Sequence, residues 1–223
     1  MKRLSVCLAA VFLCCMLAGC SFRSGSAGND RRFMVTALGF SESGDNITVT
    51  AEIVTVNSES AKAEPSPQTL SYTANGITKA LCGIANSLSR PMLLEHCGII
   101  VIGTTLSAER LREIFDYCFK ENRITLSAYM IATDDPAALL DGEPVSSVAV
   151  GYDIMGIIGQ KAETGKIKFE NRYFEIESRR EMGKKVFSMP YFARTEDGVT
   201  LDGSAVFDSD KFVIKAEISE EMK

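Results

Sequence analysis

Glu95-His96-Cys97 is the one place in this chain where an imidazole stands beside a thiol and a carboxylate, because His96 is the sole histidine. A thiolate next to an imidazole is the arrangement of a nucleophile and its base, and with a carboxylate the trio contains three metal-ligand types. The run that holds it, "PMLLEHCGIIVIG", reads as a strand, on which adjacent side chains point to opposite faces. His96 and Cys97 cannot form a pair in that geometry, so His96 is expected to be a buried, hydrogen-bonded structural residue. One histidine and scattered thiols supply no zinc spacing, and neither metal nor cofactor is expected. A phosphate loop fails at Gly165-Lys166: Gln160 stands where the first glycine belongs and Ile167 where a Ser or Thr is needed. No serine has glycine two residues away on both sides. Asp134-Asp135 reads as a turn or helix start and Glu220-Glu221 as a solvated tail. These residues predict no enzyme.

A different chemistry is written at "CMLAGCSFRSGSAGND", residues 15 to 30. Lys2 and Arg3 precede an apolar run from Leu4 to Leu17, only 14 positions long, where a membrane span needs about 20. Small residues then lead into Cys20, the grammar of an export signal. Leu17-Ala18-Gly19-Cys20 resembles the lipobox of bacterial lipoproteins. Leu17, Ala18 and Gly19 would be read by the signal peptidase, and the Cys20 thiol would take a diacylglycerol. Two acyl chains give a stable anchor, at about 0.8 kcal/mol per buried methylene. The expected layout is a signal peptide over 1–19 and a lipidated, flexible tether over 20–31. The mature chain is then held on the outer face of the cytoplasmic membrane.

Loss of Lys2 and Arg3 with the signal takes the formal charge from −5 to −7. An acidic body without a Lys/Arg cluster interleaved with aromatics excludes nucleic acid as a partner. Arg179-Arg180 and Lys184-Lys185 read as a solvated face. Of seven cysteines, Cys7, Cys14 and Cys15 belong to the signal and Cys20 to the anchor. Cys82, Cys97 and Cys118 remain; they allow at most one bridge, and their apolar surroundings favour buried thiols.

The elements that position these residues follow from periodicity. Arg32 to Asn57 reads as a hairpin with one wet face, Phe33, Val35 and Ala37 alternating with Met34, Thr36 and Leu38 ahead of a Ser43-Gly44-Asp45-Asn46 turn. Ser58 to Gln68, with Pro65 and Pro67, reads as an exposed loop. Ala74 to Leu88 has helical spacing. The apolar run to Gly103 reads as a central strand covered on both faces. Ser107 caps a helix whose Leu111, Ile114, Phe115, Cys118 and Phe119 share one face. Leu126 to Thr133 is a second strand and Pro136 opens a short helix. A long helix fits Val145 to Glu163, in which Gly151, Gly156 and Gly159 suggest close packing. A short helix near Glu170 to Glu181 and strands at Lys185–Arg194, Val199–Phe207 and Phe212–Ile218 follow. The fold class is α/β (α+β): a mixed β-sheet with packed helices over 32–143, then a helix and a small antiparallel β unit over 144–223.

Residues 88 to 140, "LSRPMLLEHCGIIVIGTTLSAERLREIFDYCFKENRITLSAYMIATDDPAALL", resemble the core of the Ger(x)C lipoproteins, the C subunits of spore germinant receptors. The family pattern has a histidine at the start of an apolar strand and a glycine at its end. A helix, a polar segment carrying arginine, a second strand and a short helix come next. His96, Gly103, Leu111 to Phe119, Arg123 and Met130 to Leu140 occupy those places, in roles expected to be structural. The lipobox, the opening from Asp30 to Phe40 and "LDGSAVFDSDKFV" extend the resemblance. Thr104 departs from it, standing where the family usually has an acidic residue.

The resemblance implies a non-enzymatic subunit that accompanies integral-membrane germinant receptor subunits in the inner spore membrane and meets the bilayer through acylated Cys20. Family members continue past the "AVF" strand into a further domain, so this chain is expected to carry the N-terminal part. The alternative class is a solute-binding or assembly lipoprotein at the bacterial cell surface. An exported hydrolase is disfavoured by the missing constellation.

Overall fold

Large apolar residues with Val35 and Thr36 make the first strand and a high density of Val, Ile and Thr the second, and a two-residue turn through Gly44 (φ 58°) joins them. These are β1 (Phe33–Ser43) and β2 (Asn46–Thr55) in a computed structural model that describes residues 32–55, 66–120, 124–163, 172–184, 186–208 and 211–212. The expected wet face is absent. Thr50, Glu52 and Val54 are as buried as Val49, Ala51 and Ile53. A β-bulge at Thr36 explains why the simple alternation fails, because the register with β2 shifts between Val35 and Ala37. An inserted residue moves the following side chains to the other face. Phe33 and Val35 therefore share a core with Leu38 and Phe40, while Ala37 joins the core on the opposite side.

The chain continues through β3 (Pro67–Ala74), α1 (Ile77–Ser87) and β4 (Met92–Leu93). A 3-10 turn (Leu94–His96), β5 (Ile99–Gly103), α2 (Ala108–Lys120), β6 (Tyr129–Thr133) and α3 (Pro136–Leu140) come next. They are followed by α4 (Val150–Glu163), α5 (Tyr173–Glu181), β7 (Val186–Thr195), β8 (Gly198–Asp208) and β9 (Lys211–Phe212). The sheet order is β3-β2-β1-β5-β6-β7-β8-β9, with β4 beside the start of β1. The four central strands run parallel and the flanking pairs antiparallel. The mixed α/β sheet is thus as expected. The C-terminal antiparallel strands are not set apart, however: Tyr191 of β7 pairs with Ala132 of β6, and residues from Arg32 onward form one compact unit across the expected boundary at 143/144.

Helices cover both faces. α1, α2 and α5 pack on the first through Ile84, Leu111, Phe115 and Ile176, and α3 and α4 on the second through Leu139, Ile154 and Ile158. Phe115 is the hub of the first layer, stacked on Tyr173 and edge-on to Phe187, each with centroids 5.9 Å apart. Each large apolar side chain buried this way contributes about 1.5–3 kcal/mol. The helix expected from Val145 starts at Val150, because the Asp153 carboxylate bends residues 145 and 146 back by accepting from their N–H groups at 2.6 and 3.2 Å. Gly151 packs closely as expected; Gly156 and Gly159 have open space where a Cβ would stand. No described helix is long and apolar enough to cross a membrane.

Candidate functional site

Cys20, its recognition residues Leu17, Ala18 and Gly19, and Arg123 lie outside the described residues. The other two motif positions stand at opposite ends of β5. His96 is not buried: it is the last residue of the 3-10 turn and is exposed. Leu94 turns inward, which breaks the expected strand and carries Glu95 and His96 to the surface. Cys97 is fully buried and donates to the Ile99 carbonyl at 3.2 Å, and burial pushes its thiol up to about 12. An exposed imidazole and an inert core thiol form no catalytic pair. Cys118 is buried likewise, whereas Cys82 is exposed, contrary to expectation, and all three are free thiols.

Gly103 is set by its backbone neighbours. A Cβ there would lie 2.9 Å from the Phe40 carbonyl oxygen, well inside contact distance. Beyond it the Thr104 hydroxyl donates to Asp134 at 2.6 Å, and Asp135 caps α3 by accepting from the N–H groups of Ala137 and Ala138. The Tyr191 phenol is pushed up to about 12, by burial first and then by Asp134. At the carboxyl ends of β5 and β6, where α/β sheets often carry ligands, Thr104 and Asp134 are thus paired with each other. Among the described residues no group of three or more His, Cys, Asp or Glu could hold a metal ion.

The most deeply buried carboxylate escaped the sequence reading. Glu52, fully buried on β2, accepts from Val150 N–H at 2.5 Å, Gly151 N–H at 2.9 Å and the Thr36 hydroxyl at 2.5 Å. A strand side chain thus supplies the acceptors for the first turn of α4, with its negative charge at the positive end of the helix. Burial raises the Glu52 carboxyl, and the three hydrogen bonds offset that in part. Glycine is needed at 151 because a Cβ would approach Glu52 Oε2 to 2.9 Å. The signal for this joint was a glutamate inside an otherwise apolar and β-branched strand.

Two surface features remain. An apolar depression of about 300 Å³ lies between α2 and α5, lined by Phe119, Leu126, Tyr173 and Phe174 together with Glu177 and Glu181. Phe119, expected on the buried face, is 56% exposed, and Leu126 and Phe174 are 45% and 47% exposed. The second feature is a cleft of about 730 Å³ between the start of β3 and the segment Asp141–Pro144. β3 itself was missed: Pro67 and Gln68, read as loop, open it, and a proline is tolerated at the first position of an edge strand.

The family described as the spore germination protein N-terminal domain matches residues 29–193. The chain belongs to that family. The resemblance drawn from residues 88 to 140 is thereby shown, and the matched span runs from just ahead of β1 into β7. One solved structure, described as the crystal structure of the GerBC protein, matches with 12% identity and a TM-score of 0.38. It covers 80% of this chain and 50% of that one, so the germination chain spans half the length of that relative. No curated protein matches.

Proposed function

We propose that this protein is a lipid-anchored, non-enzymatic subunit of a spore germinant receptor, tethered through acylated Cys20 to the outer face of the inner spore membrane. It would be held there beside integral-membrane receptor subunits. The observation that carries the reading is the family match over residues 29–193, which begins shortly after the lipobox cysteine. In such a layout the germination domain would hang on a short leash, since a lipid anchor acts by raising effective concentration near membrane partners. The exposed apolar surface of Phe119, Leu126 and Phe174 is consistent with a docking role, since contiguous apolar patches mark interaction sites.

The test is affinity capture of the full chain from spore membranes, alongside a Cys20→Ala variant. The expected result is recovery of polytopic receptor subunits with the wild type, and loss of the variant from the membrane fraction. Deletion of the gene should slow nutrient-triggered germination. Normal germination on a broad nutrient panel in a strain without paralogues would refute the proposal, as would membrane retention of the Cys20→Ala chain without any polytopic partner.

A further inference from the structure

We infer that the outer edge of β3 is a strand-addition site that takes an extended, lysine- or arginine-bearing segment of a partner protein. β3 is the last strand in the sheet, and among the described residues no strand pairs with its outer side. In an antiparallel ladder alternate residues turn N–H and C=O away from the neighbour, so among the described residues this edge presents a row of unpaired donors and acceptors. Sheet proteins normally blunt such an edge with charge, a bulge or brevity. None of these is present here. "PQTLSYTA" contains no charged residue, its eight residues run in unbroken register with β2 from Pro67↔Val54 to Ala74↔Ile47, and its proline sits only at the first position. The opposite edge of the described sheet is a strand of two residues.

The edge is also fastened on both faces. Thr69 donates to the Leu140 carbonyl at 3.0 Å, and Thr50–Ser71 and Thr48–Thr73 are hydroxyl pairs at 2.8 and 2.7 Å. On the other face the Tyr72 ring lies against Gly83, where a Cβ would come within 2.4 Å of it. A template held on both faces spends little ordering entropy when a strand adds. Backbone pairing supplies affinity in this mode, and side-chain pockets supply selectivity.

The cleft beside the strand identifies the chemistry of the occupant. Its far wall is Asp141–Pro144, with Asp141 and Glu143 exposed along it; the Arg194 guanidinium packs against Gly142 and donates to the Glu143 carbonyl at 3.0 Å, so the wall keeps one more carboxylate than cation. Two carboxylates beside a neutral edge favour basic side chains on the incoming strand. They disfavour a second copy of this chain, whose formal charge is −5. The inference stands apart from the receptor reading, since it rests on the edge and its acidic wall alone.

The full chain in detergent micelles is to be panned against a displayed random octapeptide library, and the enriched peptides resynthesised. The expected sequences carry Lys or Arg within a β-branched or aromatic alternation. N-methylation of every second peptide nitrogen should weaken binding at least about tenfold in one phase and leave it unchanged in the other. The surface variant Asp141→Lys with Glu143→Lys, which leaves the sheet intact, should weaken binding about tenfold and reduce its salt dependence. An unenriched library, equal effects in both methylation phases, or binding indifferent to the charge reversal would each overturn the inference. Disulfide cross-linking between copies through Tyr72→Cys at micromolar concentration would give the edge to a second copy and overturn it as well.

Discussion

Replacing Glu52 by glutamine tests the joint between the sheet and α4 without changing its shape. The carboxylate accepts from three donors, the N–H groups of Val150 and Gly151 and the Thr36 hydroxyl. A glutamine oxygen can serve one of the two backbone groups, and the Thr36 hydroxyl can rotate to accept from the new amide. The other N–H then faces a donor. A buried donor left without a partner costs about 1–3 kcal/mol, and removing a charge from a buried site returns part of that. The net expectation is a loss of about 1–2 kcal/mol, or roughly 2–8 °C in Tm for a domain of this size.

The pH dependence sharpens the test. Because burial raises the folded pKa above 4.5, the native state holds this proton after the unfolded state has released it. Stability contributed by the protonated form is fully present below the unfolded pKa and is lost as pH rises through the folded value. Urea unfolding followed by circular dichroism should therefore show wild-type stability declining upward from about pH 4.5, with that component of the slope missing in Glu52→Gln. Equal stability of the two proteins at every pH would refute the anchoring role. A wild type that gains stability over the same window, relative to the variant, would show that the hydrogen bonds outweigh burial.

Asp153 should behave with the opposite sign. Burial alone would raise its carboxyl, but the Val145 and Ser146 N–H groups with the Ser146 and Ser147 hydroxyls outweigh it and hold it below 3.8. Its stabilisation is present above the unfolded pKa and disappears as pH falls through the folded one, so Asp153→Asn should flatten the acid limb of a stability profile. Gly103→Ala should destabilise by about 1–3 kcal/mol through overpacking on the Phe40 carbonyl, whereas His96→Ala should change stability by less than about 0.5 kcal/mol; comparable losses in denaturant melts would contradict the exposed placement. Of the three thiols at 82, 97 and 118, an aromatic disulfide reagent should modify only Cys82 without denaturant, and mass mapping would reveal any labelling of Cys97 or Cys118.

The parallel strands, α2 and the capped start of α3 were legible because each rests on a local pattern: an apolar run, a 3.6-residue stripe, and Asp135 ahead of Pro136. What escaped has longer-range causes. The bulge at Thr36 reverses the parity of β1, and nothing in the period-2 pattern announces it, since alternation on either side looks continuous. The apolar neighbours of His96 imply a strand, but burial of Leu94 in a 3-10 turn interrupts the extended backbone. β3 hid behind two prolines, and its polar alternation matches hydroxyl pairs on β2 that only the sheet brings together. Phe119 follows the helical stripe of α2 yet lies at its exposed end, where no described element covers it as Phe187 covers Phe115.

The position of β1 has a mechanical side. The strand that opens the described fold is not at a margin; it is bonded to β2 on one side and to β4 and β5 on the other. A pull on the residues preceding Arg32 would load these ladders together along the strand axis, so that rows of hydrogen bonds must shear in concert instead of opening one at a time. A strand bonded on both sides in this way resists a pull along its axis far better than one at the edge of a sheet.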